Sequence, residues 1–122
     1  MRTHAVVAAV LGALAVALGA FGAHALRAQL DASALQIWRT AVEYQFWHAL
    51  ALLVVATQSA SLRHARAIGI AFAIGVVTFC GSLYLLALGA PRAIGAITPL
   101  GGAVLIAAWL ALAWSLSRRA KT

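Results

Sequence analysis

The chain has 122 residues, enough for one domain. Hydrophobic residues make up 65% of it and charged residues only 9%, with a mean hydropathy of +0.99. This composition excludes an ordinary water-soluble domain, where about a quarter of residues are charged. The net charge of +7 comes from basic residues that flank apolar runs, so they read as contacts to lipid head groups and no nucleic-acid partner is expected.

The first uncharged run covers 3–26. It is long enough to cross the hydrocarbon, and a first transmembrane helix is predicted over about 4–26. Arg2 and the Ala23-His24-Ala25 triplet resemble a signal peptide with its cleavage site. The apolar core, however, exceeds the usual ~7–15 residues of such a leader, so the run is expected to be retained. Ala5, Ala8, Gly12, Ala15, Gly19 and Gly22 repeat at alternating spacings of three and four, a seam of small residues down one helix face. Such a seam lets another backbone approach closely, which is how apolar helices associate when lipid is as apolar as leucine. Glycine is costly inside a helix, so Gly12, Gly19 and Gly22 are read as packing positions. Their partner is either another helix of this chain or a second subunit.

The second helix is predicted to start near residue 33 and to cross the membrane over about 41–62. Ser33 and Gln36 have the spacing of a capping box. Leu35, Trp38, Val42 and Phe46 form an apolar stripe at helical spacing, with Trp38 expected at the membrane interface. Arg39 and Glu43 stand four apart on the opposite side, where they can pair and remain solvated. The stretch TAVEYQFWHAL (40–50) then places Tyr44, Gln45 and His48 on one face of an otherwise apolar segment.

A third span is predicted over about 67–90, carrying Gly69 and Ala73 as a weaker small-residue pair and Ser82 and Tyr84 near its outer end. Its Cys80 is the chain's lone cysteine and forms no internal disulfide. A fourth span is predicted over about 93–117. Thr98 lies near its start beside Pro99, which frees a backbone carbonyl, and Gly101 with Gly102 reads as a packing or bending site.

The architecture expected is all-α: a single domain, 1–122, forming a four-transmembrane-helix bundle with helix 2 extended at its outer end. Arg2, Arg63, Arg66, Arg118, Arg119 and Lys121 fall on the side of the two termini, against Arg27, Arg39 and Arg92 on the other, which predicts cytoplasmic termini in the cell inner membrane. Counted from Thr40 as the membrane boundary, Tyr44, Gln45 and His48 lie roughly 6–12 Å deep. Ser82, Tyr84 and Thr98 fall at about 8–12 Å from the same face, with His24 near the end of helix 1.

These seven residues are therefore expected to gather beneath the outer surface, either as a hydrogen-bond network that fixes register or as a pocket for a small ligand or lipid. His24 and His48 are offset along the axis and lack a nearby carboxylate or cysteine at their depth, so no metal site and no cofactor are expected. No nucleophile, base and acid stand together, and no catalytic residue is assigned. The reading is a non-enzymatic membrane protein that self-associates or serves as an accessory subunit of a larger complex. An oligomeric transporter or channel for a small solute or ion is the alternative.

Four ordered stretches, GAFGAHAL (19–26), TAVEYQFWHALALL (40–53), GSLYLLAL (81–88) and ITPLGGAVLIAAW (97–109), resemble the signature stretches of the domain-of-unknown-function family 423. That family includes the UPF0382 small inner-membrane proteins. The resemblance covers essentially the whole chain. It implies a small multi-pass membrane protein with a retained first helix, and it carries no catalytic residue with it.

Overall fold

The computed structural model describes residues 1–119, so Lys121 of the charge tally lies outside the described residues. Four long helices follow one another: α1 (Arg2–His24), α2 (Ala32–Thr57), α3 (Ala65–Ala87) and α4 (Ile97–Ser117). α1, α3 and the segment Arg92–Ser117 are long and apolar enough to cross a membrane. α2 is long enough, but Arg39, Glu43, Gln45 and His48 make it less apolar.

Local chemistry sets the helix ends. α2 is capped by Asp31, whose extended backbone lets a carboxylate oxygen accept the amide of Ala34 at 2.7 Å. Ser33, expected as the cap, instead falls within the first turn. A carboxylate at this end also interacts favourably with the helix dipole. α2 stops at Thr57, short of the end of its uncharged run. There the Thr57 hydroxyl donates back to the carbonyls of Leu53 and Val54, and a short 3₁₀ turn, Ser59–Ser61, takes over. His64 then turns the chain with a left-handed backbone, φ 58°, before α3 begins. α4 is reached through a 3₁₀ turn, Arg92–Ala96, so Pro99 occupies its first turn. An amide is not needed there, and the proline opens the helix rather than bending it.

Neighbours in sequence are neighbours in space: α1 packs on α2, α2 on α3 and α3 on α4, while α1 touches α3 lightly and does not touch α4. α3 is thus the central element. Phe72, Val76 and Cys80 of α3 are buried against Leu52 and Val55 of α2 and Leu105, Ala108 and Leu112 of α4. The outward faces carry large apolar side chains, such as Val16, Val77, Leu100, Ile106 and Leu110, each more than half exposed. In water such a surface is an association hazard; in lipid it is solvated.

Four side-chain bonds bring both described chain ends to one end of the molecule. His4 Nε2 donates to the carbonyl of Arg66 at 3.2 Å, joining the starts of α1 and α3. Ser115 Oγ donates to the carbonyl of Arg63 at 2.8 Å, and Arg119 donates to Gln58 Oε1 at 2.9 Å and to the Ser61 hydroxyl. This is the terminal end. The segments between α1 and α2 and between α3 and α4 form the opposite end, where Leu26, Trp38 and Ala87 make a second small core.

Candidate functional site

The seam of α1 faces α2. Ala8, Ala15 and Gly22 are buried. A Cβ on Gly22 would stand 2.5 Å from the Trp38 indole, and one on Gly19 would stand 3.3 Å from Val42. With side chains removed from this stripe, the carbonyls of α1 come within reach of donors on α2. Trp38 Nε1 donates to Leu18 O at 2.9 Å, and Gln45 Nε2 donates to Leu11 O at 2.8 Å. Both pairs are displaced by two turns in opposite directions, as antiparallel helices require. Gly12 belongs to the same stripe by spacing but has no atom within 4 Å of an added Cβ. Gly101 is the tighter of the two glycines on α4, where a Cβ would lie 2.5 Å from the Phe79 amide nitrogen.

The polar residues form three linked pairs. Gln45, 4% exposed, uses both ends of its amide: Nε2 on Leu11 O, and Oε1 as acceptor for the Tyr84 hydroxyl at 2.7 Å. This one side chain joins α1, α2 and α3. His48, 6% exposed, donates through Nδ1 to the Tyr44 carbonyl at 2.6 Å and accepts the Trp109 indole N–H through Nε2 at 3.1 Å. A carbonyl only accepts and an indole only donates, so these partners fix a neutral imidazole of one tautomer. Ser82 and Thr98 share a hydroxyl bond at 2.6 Å between α3 and α4, and Ser82 also donates to Phe79 O at 2.8 Å. The Tyr44 ring lies between these pairs, stacked on His48 at 5.7 Å and tilted on Phe79 at 4.9 Å.

The structure thus places Tyr44, Gln45, His48, Ser82, Tyr84 and Thr98 in the interior or at its edge. It does not bring His24 to them: this residue is exposed on the last turn of α1. Measured from the helix ends, Gln45 and His48 lie well inside the bundle. Gln45 meets Leu11, about 20 Å inside the end of α1 at His24. Trp109, the partner of His48, is about 18 Å inside the start of α4. The reason is that α2 begins to pack at Trp38, so its first two turns are already part of the bundle. Trp38 itself is buried, 4% exposed, with Tyr84 edge-on at 4.7 Å.

Among the described residues no buried side-chain nitrogen or oxygen lacks a partner, and no three His, Cys, Asp or Glu converge. Ser82 is bonded to a threonine and a carbonyl rather than to a base, and both nitrogens of His48 are occupied. Chemically the arrangement locks helices together. The partners Trp109, Trp38 and Ser115 are not evident from sequence, because a tryptophan or serine in an apolar run reads as an interfacial or filler residue.

Glu43, like His24, stands outside this lock. Its side chain is exposed and lines two adjoining grooves between α1 and α2, of about 160 and 350 Å³. The first also carries Arg39 and Trp38, the second Phe46 and Trp47. Its neighbours in the second, Ala15, Gly19 and Ala20, put it about 6–14 Å inside the end of α1.

Comparison with known proteins agrees with the apolar surface. The profile of the family described as "Protein of unknown function (DUF423)" matches residues 18–102. A UPF0382 membrane protein of Staphylococcus saprophyticus is 42% identical over 113 residues, 92% of this chain and 94% of the relative. The UPF0382 membrane protein YwdK of Bacillus subtilis is also 42% identical, over 90% of this chain and 92% of its own. The UPF0382 inner membrane protein YgdD of Escherichia coli is 41% identical over 84% of this chain and 79% of its own. No solved structure matches.

Proposed function

The chain belongs to the DUF423 family, and from that premise we propose that it is a four-span protein of the bacterial inner membrane, with both termini cytoplasmic, acting as a self-associating or accessory subunit rather than as a catalyst. Support for α2 as a span comes from its neighbours. α1 and α3 start from the same end, tied by His4 and Arg66, so α2 must return across the same thickness between them. Its deep polar groups, Gln45 and His48, are bonded to other helices, which removes the main cost of burying them. Arg2, Arg63, Arg66, Arg118 and Arg119 lie at the terminal end, and that bias favours the cytoplasm. Fusions of a cytoplasm-active and a periplasm-active reporter to each end test this. Four spans put both termini on one side, whereas three put them on opposite sides.

The observation that carries self-association is Glu43. On the four-span reading Glu43 faces acyl chains with Arg39 in the same groove, and a carboxylate there is costly unless something polar covers it. The face around it presents a groove of small residues beside Phe46 and Trp47, a shape that receives another helix. The substitution Glu43→Leu separates the possibilities. If the face is an interface, photobleaching-step counts in lipid nanodiscs fall toward one while the monomer stays folded. If the face only meets lipid, the same substitution leaves the counts unchanged and raises thermal stability, which rejects the reading.

A further inference from the structure

Toward the terminal end, α3 and α4 line a groove of about 380 Å³. Alanines line most of it: Ala67 and Ala71 on α3, Ala107 and Ala111 on α4. His64 and Trp114 stand at its mouth, and Val104 marks its upper limit. From Trp114 to Val104 the helix rises about 15 Å, half the ~30 Å thickness of a bilayer's hydrocarbon. The groove is therefore one leaflet deep, narrow and apolar.

Its mouth is cationic. The guanidinium carbons of Arg63 and Arg118 each lie 5.7 Å from the centre of the Trp114 ring, and the His64 ring stacks on Trp114 at 5.9 Å. Arg63, His64 and Arg118 are all exposed. The chain has two acidic side chains, Asp31 at the outer end and Glu43 in the α1–α2 grooves, so no acidic side chain faces these cations. One indole thus gathers two guanidiniums at this mouth, and among the described residues no aspartate or glutamate accompanies them. A phosphate diester accepts hydrogen bonds from both guanidiniums at once and removes their repulsion.

From this geometry we infer that the α3–α4 groove is a binding site for one anionic glycerophospholipid of the cytoplasmic leaflet, with its phosphate between Arg63 and Arg118 and one acyl chain along the alanine furrow. Free phosphate satisfies the mouth and leaves the furrow unexplained. A zwitterionic lipid brings an ammonium against two guanidiniums. The site rests on the four-span, cytoplasmic-termini reading, because it needs the mouth at the head-group level.

The test is native mass spectrometry of the full chain released from mild detergent, titrated with dioleoyl phosphatidylglycerol or dioleoyl phosphatidylcholine. The expected result is a single retained phosphatidylglycerol, preferred about tenfold or more over phosphatidylcholine, equivalent to about 1.4 kcal/mol. The exposed double substitution R63Q/R118Q brings the two lipids within about twofold of each other without loss of fold. Ala107→Phe, which fills the furrow, lowers phosphatidylglycerol retention while leaving the arginines in place. Inorganic phosphate at millimolar concentration does not displace the lipid. Equal retention of the two lipids by the unaltered chain overturns the inference, as does undiminished preference in R63Q/R118Q or displacement by inorganic phosphate. Failure of the membrane reading shows separately, as protein released from vesicles by alkaline carbonate.

Discussion

The two antiparallel seams of the molecule, α1 against α2 and α3 against α4, solve the same problem with different chemistry. Along α1–α2, polar side chains set the register: Trp38 and Gln45 reach the carbonyls of Leu18 and Leu11. Along α3–α4, the middle is dry. Gly101 admits the Phe79 backbone and Gly75 admits Leu105, while hydrogen bonds stand only near the two ends, at Ser82–Thr98 and Ser115–Arg63. The difference follows from composition. α2 has polar groups to spend on register, whereas α3 and α4 have almost none and must rely on shape. Adding atoms should therefore damage the α3–α4 seam, and removing polar atoms should damage α1–α2.

The largest effect is expected from the smallest addition. In Gly101→Ala the new methyl meets the Phe79 backbone at 2.5 Å for N and 2.8 Å for Cα, and backbone cannot swing aside as a side chain can. Overpacking of this kind costs about 1–3 kcal/mol. A thermal-unfolding midpoint measured in detergent should fall clearly. In Gly75→Ala the nearest atoms belong to the tip of Leu105, at 2.6 Å for Cδ2, so a smaller fall is expected. Equal effects at the two positions would mean that α3 and α4 are not held in this register.

The α1–α2 seam is tested by Gln45→Leu, which keeps the volume but deletes both amide bonds and orphans the Tyr84 hydroxyl. Bonds of this kind in membranes average about 0.6 kcal/mol, so a loss of about 1–2 kcal/mol is expected. Tyr84→Phe should cost less. Combined with Gln45→Leu it should cost no more than Gln45→Leu alone, because the partner has already gone. Additive losses in that double-mutant cycle would break the proposed link between α2 and α3.

Much of this was open to a reader of the sequence, and the boundary is physical. Four helices follow from uncharged runs of membrane length broken by short charged segments. Gln45, His48, Ser82, Tyr84 and Thr98 could be picked out because polar atoms in apolar runs must find partners. Which partners they find depends on rotation and relative shift of the helices, and a one-dimensional pattern does not contain those. A count of depth from Thr40 rests on one helix alone, whereas the contact of Trp38 with Leu18 shows that α2 already packs on α1 before Thr40. The Ser33 cap lost to Asp31 on a local matter, the extended backbone of one residue. Trp109 and Ser115 escaped because an indole and a hydroxyl look the same in sequence whether they face lipid or a carbonyl.

The smallest effect, and the sharpest use of the comparison, belongs to Gly12. By spacing it is a full member of the α1 seam, between Ala8 and Ala15, both of which are buried against α2. Yet a Cβ there meets nothing within 4 Å. The helices part locally, because the nearby contact is made by the long Gln45 side chain reaching Leu11 rather than by close backbones. Alanine is about 1 kcal/mol better than glycine inside a helix, so Gly12→Ala should leave the isolated chain as stable or slightly more so. A fall in stability would show that α1 and α2 lie closer in the membrane than this packing, and that the hydrogen bonds of the seam follow from glycine contacts instead of setting them. Unchanged stability with a loss of self-association in nanodiscs would place a second copy on this stretch of α1, extending the covered face inward from Glu43.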